Sequence, residues 1–327
     1  MKITRIIFPK VLESSKIQEI IAQLEAAQDS DAVEIDLNSI RFSRPTAMLV
    51  LGSKLSNWSE YRKYKRLKTR LVNPTDSPAY SYMAHVGFFD LIGSKKVSGK
   101  AMGEARGSTT YTPITKITRP SFSDVDSWYK NIISSVRQLA NVLAGTPSDT
   151  EEHRFFLYTL RELVRNVFEH SGVDECYICG QRWEDGKVEI SILDEGIGVA
   201  QSLAKSFSIT NEEHALRQAI KPGVSSTTNI STDKNTYDNS GFGLYVLSEI
   251  AAAFGKLVIA SNTKSLEISN GKQLITDLNF SGTFLGLELD CAPKQFTSLL
   301  KDIIAAGEAE ARVYGNNPKA SKLSKLI

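Results

Sequence analysis

The stretch LRELVRNVFEHSG, residues 160–172, sets Glu162, Asn166 and His170 four residues apart. On a helix this spacing stacks a carboxylate, an amide and an imidazole in one column. A carboxylate can position or deprotonate an attacking hydroxyl or water. An amide oxygen is a hard ligand that suits Mg²⁺. His170 could contact a phosphate, but the reading preferred from sequence is a polar helix-end residue that favours the carboxyl end of the dipole. Phe156, Leu160, Leu163, Val164 and Val167 form the apolar stripe of the same helix, so Glu162 and Asn166 border whatever it packs on. Arg161, Arg165 and Glu169 fall more on the opposite face. Taken alone, Glu-x-x-x-Asn is common on helices and identifies nothing.

Three later segments add to it. ISILDEGIGV places Asp194 at the end of an apolar strand, followed by Gly196 and Gly198. A strand end delivers a carboxylate to a fixed point, and glycines let a ligand approach backbone. By itself Asp194 could equally open an Asx turn. NSGFGLYVLSEI puts Gly241 and Gly243 at a helix start, where free N–H groups and the dipole suit a phosphate. SGTFLGLEL begins a strand with a Gly-Thr pair, placing Thr283.

The elements that must position these residues follow from pattern. Residues 124–145 predict a helix closing at Gly145, and the next helix starts from Ser148 or Asp149 as cap and stops at Gly172. DECYICGQRWE and KVEISILD predict a hairpin turning at Asp185-Gly186, with Cys176 and Cys179 on opposite faces. Residues 199–240 are polar and irregular apart from a short helix near NEEHALRQAI. GLYVLSEIAAAFG is a helix, KLVIASN and GTFLGLELD are strands, and the tail from Lys294 is helical.

Upstream, strand and helix alternate: KITRIIF, a helix carrying Ile17, Ile20, Ile21 and Leu24, AVEIDL, a helix opened by Pro45, TRLVNP, and a last helix capped by Asp76 and ended by Gly93.

The four site segments, in this order and at these intervals, resemble the GHKL (Bergerat-fold) ATPases and kinases, over residues 126–291. That resemblance implies ATP and Mg²⁺ as cofactors. It implies Glu162 as the catalytic carboxylate, Asn166 as the Mg²⁺ ligand, and Asp194 as acceptor for the adenine amino group. Gly196 and Gly198 would lie beneath the adenine, Gly241 and Gly243 around the phosphates, and Thr283 beside the base. Residues 199–240 would form the ATP lid, with Lys205, Arg217, Lys221 and Lys234 as its positive charges. Residues 1–95, through VEIDLNSIRFSRPTAMLVLGSKL and MAHVGFFDLIG, resemble a STAS domain. The family's phosphorylatable turn is here Arg44, Pro45, Thr46 and Ala47; Pro45 has no hydroxyl, leaving Ser43 and Thr46 as weak substitutes.

The expected fold class is therefore α/β: a STAS-like α/β domain (1–95), a linker that could hold the next domain's first strand (96–125), a Bergerat-fold two-layer α/β sandwich (126–291) and a helical tail (292–327). The expected function is an anti-sigma-type serine/threonine kinase acting on a regulatory protein partner. The alternatives are a slow ATPase switch, and a non-catalytic ATP-sensing scaffold that docks partners through the STAS-like domain. A homodimer is also compatible with the resemblance. The four histidines show neither metal spacing nor a phosphoacceptor pattern, which argues against an autophosphorylating sensor kinase.

Composition sets the outer bounds. The 327 residues exceed one usual core, 41% are apolar and 23% charged, and the net charge is +2. Such a charge does not point to nucleic acid, and the basic run YRKYKRLKTR (61–70) reads as a helix end entering a strand. No apolar run approaches the ~20 residues of a membrane span, and Pro9 interrupts the only apolar start. Three cysteines cannot form an even disulfide framework, so a cytoplasmic setting is expected.

Overall fold

The computed structural model describes residues 3–72, 77–94, 108–120, 125–226, 240–313 and 319–321. The chain is mixed α/β, with parallel and antiparallel sheets. The N-terminal part holds β1 (Ile3–Ile7), β2 (Val11–Leu12), α1 (Ile17–Ala26), β3 (Ala32–Asp36), β4 (Phe42–Ser43), α2 (Pro45–Tyr64), β5 (Lys68–Val72), α3 (Pro78–Val86) and α4 (Phe88–Leu91). Strands β1, β3 and β5 form a parallel sheet in the order β1-β3-β5. Helix α1 buries Ile17, Ile20, Ile21 and Leu24, the stripe its sequence carries. The single helix expected from residue 77 onward is two, because Gly87 adopts φ 93° and breaks it. The proposed cap Asp76 lies outside the described residues.

The basic run contains a structural residue. Arg62 is fully buried, and its guanidinium donates to the carbonyls of Ala27, Gln28, Ser30 and Lys68. A cation here satisfies carbonyls left open at the end of α1.

The C-terminal part builds β6 (Tyr111–Thr118), α5 (Val125–Ala144), α6 (Glu151–His170), β7 (Glu175–Arg182), β8 (Val188–Asp194), α7 (Gly198–Leu203), α8 (Glu212–Ala219), α9 (Gly243–Phe254), β9 (Gly255–Ser269), β10 (Lys272–Leu289) and α10 (Phe296–Val313). Its five strands run antiparallel in the order β6-β7-β8-β10-β9. β6 thus brings part of the 96–125 segment into the sheet as an edge strand. The other end of the sequence is also integrated: Phe296 of α10 packs on Phe155 and Tyr158 of α6. Helix α6 is capped one or two residues later than expected, by Thr150 accepting from the His153 N–H at 3.1 Å, while Asp149 pairs with Arg154.

Every residue of β8 is buried, so the sheet is covered on both faces. Val188, Ile190 and Ile192 join the core formed with α5, α6 and α9. Leu193, with Cys179, Phe280 and Phe284, joins a second core shared with Ala47–Leu51 of α2. Cys176 and Cys179 belong to different cores, as the alternation of a strand requires. The first half of α2 is buried all round because it lies between the N-terminal elements and the large sheet. Polar contacts fix this seam: Glu189 accepts from the Thr46 N–H at 2.8 Å, and Arg44 reaches Glu189 at 3.4 Å and Glu288 at 3.5 Å. Ser43 and Thr46, the substitutes for a phosphoacceptor, are sealed within it at 1% and 0% exposure. No described helix is long and apolar enough to cross a membrane.

Candidate functional site

Helix α6 crosses the face of the large sheet and carries the column of interest. Glu162 is 4% exposed, and its Oε1 accepts from Arg161 Nε and Nη2 at 3.0 and 2.9 Å and from Arg165 Nη1 at 3.3 Å. Arg161 and Arg165 were expected on the outer face; both are only 2% exposed. Arg161 lies over the rings of Tyr129 and Tyr158, and Arg165 also pairs with Glu169 at 2.9 Å. Buried guanidiniums are tolerated here because carboxylates and aromatic faces replace water. The Oε2 of Glu162 touches the start of α9: a Cβ on Gly243 would stand 2.4 Å from it. Gly243 is therefore a glycine partly because Glu162 approaches it so closely.

One turn beyond Glu162, Asn166 lines an open cavity of about 120 Å³ whose walls come mainly from α6, β8, α7, α9 and β10. Asn166, Asp194, Gly198, Gly241, Gly243 and Thr283 all line it. Val167, Ile192, Leu203 and Ile259 supply apolar wall. Glu162 and Gly196 are not among the described lining residues. The Asn166 amide has no hydrogen-bond partner among the described residues, so its oxygen is free for a ligand or a cation.

Asp194 ends β8 opposite Thr283 of β10 and is 4% exposed. Its Oδ1 accepts the Gly196 N–H at 2.9 Å, the Asx-turn bond anticipated as the alternative role. No ion pair to its carboxyl occurs among the described residues. Burial pushes it up to about 7, against the pull of the Gly196 and Thr283 N–H groups. A second acceptor position on the same carboxyl remains for a donor in the cavity.

His170 also lines the cavity, with Nδ1 2.9 Å from Ser226 Oγ. Burial, then Arg165 and Lys205, lower it to about 4. It is therefore a neutral imidazole at pH 7, and it stands as the last residue of α6, the polar helix end its sequence suggested. Of the cations assigned to the lid, Arg217 is bonded to Glu213 and Gln273, Lys205 and Lys221 are exposed, and Lys234 lies outside the described residues.

The loop after Asp194 is held by residues the sequence did not single out. The Ile197 N–H donates to the Ser171 carbonyl at 2.9 Å, and the Val199 N–H to Ser261 Oγ at 2.8 Å. Asn262, at φ 47°, donates to Glu212 at 2.9 Å and accepts from the Gly282 N–H at 3.3 Å. An asparagine interrupting the strand run KLVIAS is the available signal, since Asn tolerates left-handed backbone.

Among the described residues no group of three or more His, Cys, Asp or Glu is arranged to hold a metal, so a cation here would rely on Asn166 and ligand oxygens. Compared with known proteins, the chain matches no family model and no curated protein.

Proposed function

We propose that this cavity binds Mg-ATP in the manner of the Bergerat fold, and that the chain acts as a nucleotide-dependent switch with a STAS-like N-terminal domain. One observation carries the reading. Six residues from four separated segments, chosen for ATP chemistry, line a single cavity.

Each has a task its position suits. The Asp194 carboxyl, ionised, would accept a hydrogen bond from the adenine amino group, with Thr283 beside it. Val167 and Ile192 would cover apolar parts of the base. Asn166 Oδ1 would hold Mg²⁺, which when bound neutralises phosphate charge. The backbone at Gly241 and Gly243 would lie against the phosphates at the start of α9, where the helix dipole favours anions. The three-stranded parallel sheet with α1 and α2 supports the STAS-like part of the reading.

The geometry favours a switch over a kinase because of Glu162. Its Oε1 already accepts from two guanidiniums, which ties the carboxylate into the packing of α6, and Glu162 is not among the described residues that line the cavity. The kinase reading keeps one observation: Glu162 lies one turn before Asn166, and its Oε2, which carries none of these guanidinium bonds, faces Gly243. In either case a regulatory protein partner would read the state of the lid.

The test is incubation of purified protein with γ-labelled ATP and Mg²⁺, scoring binding, free phosphate and labelled protein. The expected result is stoichiometric ATP binding with slow or no release of phosphate. Rapid labelling of a candidate partner would establish the kinase instead, and absence of ATP binding would end both readings.

A further inference from the structure

The N-terminal part reaches the nucleotide cavity from the opposite face of the sheet. Ser53 and Asn57, one turn apart on α2, both donate to Glu195 Oε1, at 2.7 and 2.8 Å. Glu195 directly follows Asp194 and precedes Gly196, whose N–H holds the Asp194 carboxyl. Lys54, between them, donates to the Asn279 carbonyl at 2.9 Å and is itself fixed by Glu25 at 2.9 Å. Asn279 lies where β10 slips register against β9, between Asp277 and Phe280; a second slip follows before Thr283. Thr283 then stands opposite Asp194. A single turn of α2 therefore grips both segments that carry the base end of the cavity.

These bonds are not needed for adhesion. The seam already buries Ala47–Leu51 against Phe280 and Phe284, whereas Glu195 and Asn57 are exposed. The bonds from Asn57 and Lys54 are exposed and that from Ser53 is partly buried, so they add modestly to cohesion while fixing orientation. Their placement on irregular backbone, rather than along the regular strands, puts them where position is otherwise least determined.

We infer that the N-terminal part is a working component of the nucleotide site: Ser53, Lys54 and Asn57 are positioning residues that set Asp194 and Thr283, so that nucleotide occupancy and the seating of α2 are coupled. The inference rests on the ATP reading above. Coupling of this kind is reciprocal: if α2 sets the affinity for nucleotide, nucleotide must tighten α2 by the same factor.

The experiment uses the full chain. ATP affinity is measured by calorimetry for wild type, the double variant Ser53→Ala with Asn57→Ala, Glu195→Ala and Glu195→Gln. Amide hydrogen exchange across residues 50–58 of the wild type is followed with and without saturating Mg-ATP. The double variant and Glu195→Ala are expected to bind ATP about tenfold more weakly. Glu195→Gln is expected to retain wild-type affinity, because a glutamine oxygen accepts from both donors. Exchange across 50–58 is expected to slow with ATP. Equal affinity in wild type and a folded double variant would overturn the coupling while leaving the ATP reading intact. Unchanged exchange across 50–58 would overturn it even if the variants failed to fold. A wild-type chain that binds no ATP would remove the nucleotide reading, and the coupling with it.

Discussion

Glu162 and Asp194 are equally hidden, each 4% exposed, yet they sit in opposite electrostatic settings. Glu162 is met by two guanidiniums and faces the start of α9. Asp194 has two backbone N–H groups near it, and burial pushes its carboxyl up to about 7. A buried charge is tolerated only when something replaces its hydration. In Glu162 the fold itself supplies the replacement. In Asp194 the replacement is incomplete, and the shortfall faces a cavity. The first arrangement belongs to a group that holds structure together, the second to one awaiting a donor. On this contrast the proposed site centres on Asp194 and Asn166, with Glu162 in a supporting place.

The largest effect should come from breaking the satisfied carboxylate. Glu162→Ala leaves Arg161 and Arg165 buried without that acceptor, and removing one partner of a buried pair costs about 3–5 kcal/mol. Urea denaturation at pH 7 measures this. A loss near zero would mean that the arginines do not depend on Glu162, freeing it for catalysis.

Asp194→Asn should do the reverse. Stability should hold or rise, since an incompletely solvated charge is removed. ATP affinity should fall about ten- to a hundredfold, the worth of a hydrogen bond to a charged group at about 1.5–3 kcal/mol. An amide can also present its donor where the adenine amine needs an acceptor. Calorimetry showing unchanged ATP affinity in a folded Asp194→Asn chain would misplace the adenine.

The pH dependence separates the two carboxylates further. Because the Asp194 carboxyl is raised from 3.8 to about 7, the folded chain keeps a proton that the unfolded chain has released. Its contribution to stability is therefore fully present below about pH 4 and is lost as pH rises through about 7. Binding as proposed runs the other way, because the ionised carboxylate is the stronger acceptor for the adenine amine. ATP affinity should fall as pH drops below about 7 and level off at about the ten- to hundredfold loss expected of Asp194→Asn. In Asp194→Asn this slope should disappear, leaving only the titration of ATP itself. Glu189, also raised by burial and then by Glu288, shifts stability in the same direction but lies at the α2 seam, away from the cavity. An identical binding slope in wild type and Asp194→Asn would remove Asp194 from the site.

How far the site was readable in sequence depended on whether its signals were local. The column on α6, the glycines after a strand-end aspartate, the Gly-x-Gly at a helix start and the Gly-Thr pair are local patterns, and six of the eight residues that the resemblance assigns on them meet in the cavity. The environment of Glu162 was not readable that way. Arg161 and Arg165 look like an outer face until Tyr129 and Tyr158, from two helices, close over Arg161. The covering of the sheet by α2 is marked in the sequence. AMLVL at 47–51 is apolar through more than a full turn, which marks a helix buried on all sides rather than one lying on a single sheet. Glu195, Ser261 and Asn262 act through partners distant in sequence, and no short-range pattern reports such contacts.

The smallest effect concerns the cation. Asn166 is the one residue assigned to Mg²⁺, and it offers a neutral amide oxygen rather than a carboxylate. Mg²⁺ keeps several waters and takes its remaining ligands from phosphates, so a single amide contributes only part of the affinity. Asn166→Ala lets a water take that place, at a net loss of about 1 kcal/mol, or roughly fivefold. The loss should appear only when the metal is present. In EDTA, wild type and Asn166→Ala should bind ATP equally, because the contacts of Asp194 and Thr283 are untouched. On adding Mg²⁺, the wild type should gain affinity and the variant should gain about fivefold less. Calorimetry in the two buffers resolves the difference. A variant that gains as much from Mg²⁺ as the wild type would show that the cation is held without Asn166. A variant already weakened in EDTA would place Asn166 against the nucleotide itself, and the free amide in the cavity would then be a ligand contact instead of a metal ligand.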